Sequence, residues 1–116
     1  MKVEIWDERR CQVGEGPIAK GPNNVDVWWV DIYNSKVLYR NFETGVQHEY
    51  TMPEHVSFVI PCTNGDHILG TANGPVRRTK DGVVTKLQTR VEVNGKPDAF
   101  PERWNDAKVA PDGHLW

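Results

Sequence analysis

The side chains best placed to do chemistry stand near the two ends of the chain. Arg103, Asn105 and Asp106 fall within the run RWND, and Glu15 sits in GEGP. An arginine presents a planar fork of N–H donors that suits a pair of hydroxyls or a carboxylate, a geometry lysine does not reproduce. An asparagine side chain offers a donor and an acceptor, enough to orient a hydroxyl or a water. Glu15 is held between Gly14 and the pair Gly16-Pro17, small and rigid neighbours that narrow the directions its carboxylate can take. Each residue also has a plainer alternative: Glu15 as a surface acid in a turn, Arg103 in an ion pair with Glu102 or Asp106, and Asn105 as a turn cap.

Other reactive residue types form no set. His48, His55, His67 and His114 show neither HxH nor HxxxH spacing, so they do not read as a metal-binding group. Cys11 and Cys62 have no CxxC partner and no catalytic surroundings, and are expected as free, buried thiols. Ser57 lacks histidine and aspartate partners in a catalytic order. Arg77, Arg78 and Lys80 are the one basic cluster and read as a solvated strand face. Trp28, Trp29 and Trp116 are expected to pack between sheets.

The elements that must position the candidate residues are strands. Lys2 to Trp6 reads as a short strand, and CQVGEGPIAKGPNN as a loop-rich stretch. Val25 to Ile32 is β-branched and aromatic, the composition of a buried strand. Lys36 to Phe42 alternates, and Gln47 to Met52 is polar enough for a sheet edge, closed by Pro53. The pattern then restarts with His55 to Cys62, an Asn64-Gly65-Asp66 hairpin turn, His67 to Ala72, an Asn73-Gly74-Pro75 turn, Val76 to Lys80, and Val83 to Val93. Apolar residues do not recur at helical spacing, so the chain reads as an all-β meander.

These runs repeat. DVWW at Asp26 matches DHIL at Asp66, and GHLW at Gly113 matches again, a period of about 40 to 47 residues that suits four-stranded β-propeller blades better than a sandwich. In such blades the innermost strands line a central channel. Glu15, the His55 to Ser57 segment, and Arg103 to Asp106 each stand at or just before the first strand of a blade and are expected to converge at one channel mouth. The chain stops three residues into the strand pattern of GHLW and is therefore expected to be part of a larger fold.

Four segments in order resemble one family: GEGP at Gly14 to Pro17, WVDI at Trp29 to Ile32, the Thr44-Gly45 turn, and RWND followed by KVAPDGHLW. They are similar to the N-terminal part of the SMP-30/gluconolactonase/regucalcin family. Two positions depart from its pattern, Ala107 where a glycine is usual and Ile18-Ala19 where an aromatic commonly follows GEGP. The resemblance implies a six-bladed β-propeller, here about two blades and the start of a third, with blade 1 at about 11–53, blade 2 at about 55–93 and blade 3 beginning at about 100–116.

It also implies a metal-dependent hydrolase of sugar lactones, with Glu15 as a metal ligand and Arg103 and Asn105 as substrate contacts. The family's other ligands, an asparagine and an aspartate that serves as general base, are expected beyond Trp116. Lactone hydrolysis needs a polarised carbonyl and a water made nucleophilic near neutral pH, and a divalent cation supplies both. An all-oxygen site suits Ca²⁺ first, with Mg²⁺, Mn²⁺ and Zn²⁺ as alternatives. The alternative function is a non-catalytic propeller fragment or binding protein, which as a chain of 116 residues would associate through exposed strand edges.

Composition bounds the remaining classes. A hydrophobic content of 38%, a charged content of 26% and a formal net charge of -2 describe an ordinary globular protein and give no reason to expect nucleic-acid or membrane partners. The opening MKVEIWDERRCQ has no apolar run of signal-peptide length, so a cytoplasmic location is expected.

Overall fold

Turn residues end the strands where the alternation of the sequence breaks, and pairing then follows chain order. The computed structural model describes residues 1–87 and 104–116. Its strands are β1 (Gly14–Lys20), β2 (Asp26–Asp31), β3 (Lys36–Asn41), β4 (Gln47–Thr51), β5 (Val56–Pro61), β6 (His67–Thr71), β7 (Gly74–Arg78) and β8 (Val84–Lys86). They form two antiparallel four-stranded sheets, β1-β2-β3-β4 and β5-β6-β7-β8, each strand beside its neighbour in sequence. The helical structure among the described residues is one 3-10 turn at Pro22–Asn24. Beyond residue 104, Lys108 and Trp116 exchange backbone hydrogen bonds of 2.8 and 2.9 Å and Val109 bridges Leu115, the start of a further antiparallel hairpin.

The repeat seen in the sequence is a structural one. Asp26 opens β2 and Asp66 stands just before β6, so the matched residues lead into the second strand of each sheet. The sheets pack with β5 against β1 and β2. Between them lies a core of Val30, Ile32, Val37, Met52, Val56, Val59, Leu69 and Val76, to which Val13, Trp28 and Tyr50 add partly buried surface. Burying each of these aliphatic side chains is worth about 1.5–3 kcal/mol before the chain entropy is set against it.

The faces turned away from this core are covered differently. In the second sheet Phe58 lies opposite Gly70 and is 1% exposed. A Cβ on Gly70 would stand 2.1 Å from the Phe58 ring, so the absence of a side chain there is what admits the aromatic. In the first sheet the N-terminal segment lies across the outer face. Trp6 stacks on Phe42 with ring centroids 4.0 Å apart, the Arg9 guanidinium lies 5.1 Å from the centre of the Trp29 ring, and Arg9 also reaches the carbonyls of Tyr39 and His48.

Four expectations are corrected. Lys2 to Trp6 is not a strand: the segment crosses the face of a sheet rather than following an edge, so its backbone meets no ladder, and Val3 and Ile5 stay exposed. The stretch read as loop-rich contains β1, which pairs with β2 on either side of Gly16 and Pro17, at Gly14-Glu15 and at Ile18 to Lys20. β7 begins at Gly74, inside the expected turn. Trp116 is 81% exposed rather than packed between sheets. The expected strand Val83 to Val93 extends outside the described residues, within which β8 accounts for Val84–Lys86. Cys11 and Cys62 are free and half-buried, and burial pushes the Cys11 thiol above its ordinary value.

Candidate functional site

Glu15 owes its position to hydrogen bonds made by another residue. It lies in β1 opposite Val30, exposed at one end of the first sheet. Next to its partner, Asp31 is 2% exposed and accepts hydrogen bonds from the amides of Gln12 (3.1 Å) and Val13 (3.0 Å) and from Asn34 Nδ2 (2.6 Å). Burial alone would raise the pKa of Asp31, but these donors outweigh it and hold the carboxyl below the usual carboxylate value. The charge thereby ties the chain just before β1 to the turn after β2.

One residue further on, β1 carries an irregularity in register between Glu15 and Ile18. Gly16 takes φ 61 there, in the left-handed region that an L side chain enters only at a cost. The first strand of the second sheet has a matching irregularity between Val56 and Phe58, at Ser57. Bulges of this kind re-aim the residues beside them and are frequent next to functional sites. The two bulges are neighbours: the Ser57 carbonyl oxygen lies 4.0 Å from where a Cβ on Gly16 would stand. The Asp106 carboxylate joins them, its Oδ1 3.8 Å from the same point.

This end of the two sheets therefore gathers β1, β5 and the segment after residue 104, three parts of the chain far apart in sequence. Asn105, adjacent to Asp106, is exposed, as is Glu15. Arg103 lies outside the described residues. Asp106 accepts a hydrogen bond from the amide of Ala107 (2.8 Å) and has Lys108 Nζ at 3.5 Å. The nearness of Asp106 and Ser57 to Gly16 agrees with the convergence expected from the blade repeat for Glu15, the His55 to Ser57 segment and the Arg103 to Asp106 segment. Ser57 is buried and donates to the Gly70 carbonyl at 3.3 Å, a structural bond. His55 has a ring contact with Tyr33 at 5.5 Å.

What this end can offer a cation is oxygen: the Glu15 carboxylate, the Asn105 amide and the Asp106 carboxylate. Such donors fit a hard divalent ion in kind. Among the described residues no three of His, Cys, Asp or Glu come together as a metal-binding group. The described residues also contain no helix long and apolar enough to cross a membrane. A cavity of about 440 Å³ lies elsewhere, at the opposite end of the cleft between the sheets.

The family described as the SMP-30/gluconolactonase/LRE-like region matches residues 13–116. Among solved structures, a calcium-binding regucalcin from Agrobacterium tumefaciens superposes with a TM-score of 0.78 at 23% identity, over 97% of this chain and 36% of its own. A luciferin-regenerating enzyme gives 0.71 at 26% identity, over 91% of this chain and 35% of its own. A streptogramin B lyase gives 0.53 at 18% identity, over 89% and 39%. The two sheets are β-propeller blades, and the chain spans roughly a third of the length of the structures it matches.

Proposed function

The chain belongs to the SMP-30/gluconolactonase/LRE-like family, and from that premise we propose that its protein is a metal-dependent hydrolase of sugar lactones. The observation that supports the reading is the meeting of Gly16, Ser57 and Asp106 beside Glu15, which joins the GEGP and RWND motifs at one end of the blades. A bound divalent cation, calcium first among the hard ions, supplies polarisation of the lactone carbonyl and a water acidic enough to attack near neutral pH.

The work of this chain's own residues is binding and orientation. Glu15 contributes a carboxylate oxygen to the cation from an exposed place on a paired strand. Asn105 orients a substrate hydroxyl through its amide, and Arg103 donates its fork to hydroxyls or to the carboxylate that forms as the ring opens. The other ligands and the general-base aspartate are assigned to sequence beyond Trp116. The substrate is a small lactone, and the protein works in the cytoplasm.

The test is hydrolysis of gluconolactone in the presence of Ca²⁺, Mg²⁺, Mn²⁺ or Zn²⁺, before and after chelation, with Glu15→Gln alongside. Activity should require a divalent ion and fall by at least about a hundredfold in Glu15→Gln, with the calorimetric signal of metal binding reduced. Hydrolysis that survives both chelation and the substitution would falsify the assignment. A second reading is a non-catalytic binding protein that associates through exposed strand edges. It predicts no metal-stimulated hydrolysis of any lactone.

A further inference from the structure

The cleft between the two sheets opens, at the end away from Glu15, into a cavity of about 440 Å³. Its volume falls within the usual range for small-molecule sites. One wall is a row of rings running across the first sheet. Trp28 pairs with Tyr39 and Tyr39 with His48, so alternate residues of β2, β3 and β4 present their side chains on one face. Tyr39 and His48 lie nearly parallel, 10° apart at 5.6 Å, and Trp28 meets Tyr39 at 4.9 Å. The opposite wall comes from the second sheet, with His67, Arg78 and Lys80. At the inner end the Tyr50 hydroxyl and His67 Nδ1 lie 2.6 Å apart and close the floor.

The charges on the two walls are not balanced within the cleft. Several cations elsewhere have a carboxylate partner: Arg9 and Arg40 with Asp7, Arg77 with Asp66, Lys36 with Glu49. Arg78 is half-buried and has no carboxylate partner among the described residues. Its side chain makes one long hydrogen bond, 3.4 Å to the Thr79 carbonyl, and its guanidinium is held 3.9 Å from the centre of the Tyr50 ring. Stacking of this kind fixes the plane of the fork while leaving its N–H edge free to donate. The one carboxylate lining the cavity, Asp26, is already engaged by the Tyr39 hydroxyl at 2.6 Å and Asn41 Nδ2 at 2.9 Å. Lys80 adds a second cation, without a side-chain partner among the described residues.

We propose that this cleft is a binding site for a small planar organic anion, a ring bearing a carboxylate, with the ring against the Trp28, Tyr39 and His48 row and the carboxylate on Arg78. The aromatic row provides π surface for a flat ring. The fork of Arg78 matches a carboxylate in two parallel hydrogen bonds, and Lys80 adds attraction at the entrance. A neutral ring loses the charge-assisted bonds, and a small anion without a ring loses the stacking. The site is independent of lactone hydrolysis and stands at the other end of the blades.

Benzoate is the probe, with benzamide and acetate as its neutral and ring-free counterparts, titrated by calorimetry into the intact protein. Benzoate should saturate, and benzamide and acetate should each bind at least about tenfold more weakly. Arg78→Gln should reduce benzoate affinity about tenfold, to the level of benzamide, while Lys2→Gln, which removes an exposed charge elsewhere, leaves it unchanged. Equal affinity for acetate, or benzoate binding indifferent to Arg78→Gln, would overturn the site. Should Arg78→Gln unfold, nuclear magnetic resonance of the unaltered protein decides. Benzoate must shift the Arg78 Nε–H and the Trp28 indole N–H, and shifts confined to other residues refute the proposal.

Discussion

The Tyr50 hydroxyl and His67 Nδ1, 2.6 Å apart, join the last strand of the first sheet to the second strand of the next. Burial keeps Tyr50 un-ionised by raising its pKa. Burial, and then the Arg78 guanidinium, push the His67 imidazole below its ordinary value of 6.5. A neutral imidazole therefore belongs to the folded state, while the unfolded chain takes up a proton more readily. The stability this contributes is whole above about pH 6.5 and is lost as pH falls from there through the folded-state pKa. Tm should fall on acidification across that window, and His67→Gln should flatten the fall. An unchanged slope in His67→Gln would refute the assignment.

Asp31 governs a separate, more acidic window. Its pKa is held below the ordinary 3.8 although burial opposes this, because amides and Asn34 donate to the charged form. Asp7 and Asp66 are also lowered, chiefly by hydrogen bonds from Arg9 and Arg77. Stability from these groups is present above the unfolded value and is lost as pH falls through the folded ones. Asp31→Ala should cost about 2–3 kcal/mol in urea unfolding, since it strands buried amide donors. It should also speed hydrogen exchange at Gln12 and Val13, an effect absent if the carboxylate has no latching role.

Gly70→Ala should destabilise the second sheet by about 1–3 kcal/mol, because the added methyl would stand 2.1 Å from the Phe58 ring. Combining it with Phe58→Leu should give less than the sum of the two single losses. Additive losses in the double-mutant cycle would show that the two side chains do not compete for the same space.

Gly16→Ala meets no steric obstacle, its nearest neighbours being 3.8 and 4.0 Å away. The expected cost is that of backbone strain at φ 61, about 1–2 kcal/mol. Because the strain falls beside Glu15, gluconolactone hydrolysis should drop at temperatures where the variant is still fully folded. Activity equal to the unaltered protein under those conditions would detach the bulge from the site.

Strands bounded by turn residues were legible from composition, as in Val25 to Ile32, or from alternation, as in Lys36 to Phe42. The matched Asp26 and Asp66 also located the two repeats. β1 was not legible as a strand, since Gly14, Gly16 and Pro17 speak locally for a loop and its extended form comes from pairing with β2. Lys2 to Trp6 failed in the opposite sense: its composition suits a strand, but the described fold gives it a sheet face to cross and no edge to join. At the candidate site the motif residues could be named from the sequence. The blade repeat also brought the Ser57 and Asp106 segments to one mouth with Glu15, whereas the bulges at Gly16 and Ser57 could not be read, because register shifts are set by tertiary pairing. Trp28 was expected as packing, and the cavity beside it depends on how two sheets splay, which no single strand encodes.

The nearness of Asp106 to Gly16 also has a consequence in time. Synthesis delivers Glu15 and Gly16 first, and the Asp31 latch cannot close until residue 34 is free to fold. At roughly 5–20 residues per second, several seconds pass before Asp106 leaves the ribosome. The first blade can pair internally during that interval because each of its strands joins its neighbour in sequence. The polar mouth cannot, and waits half-built on the nascent chain until the ninety or so residues that follow Glu15 have been translated.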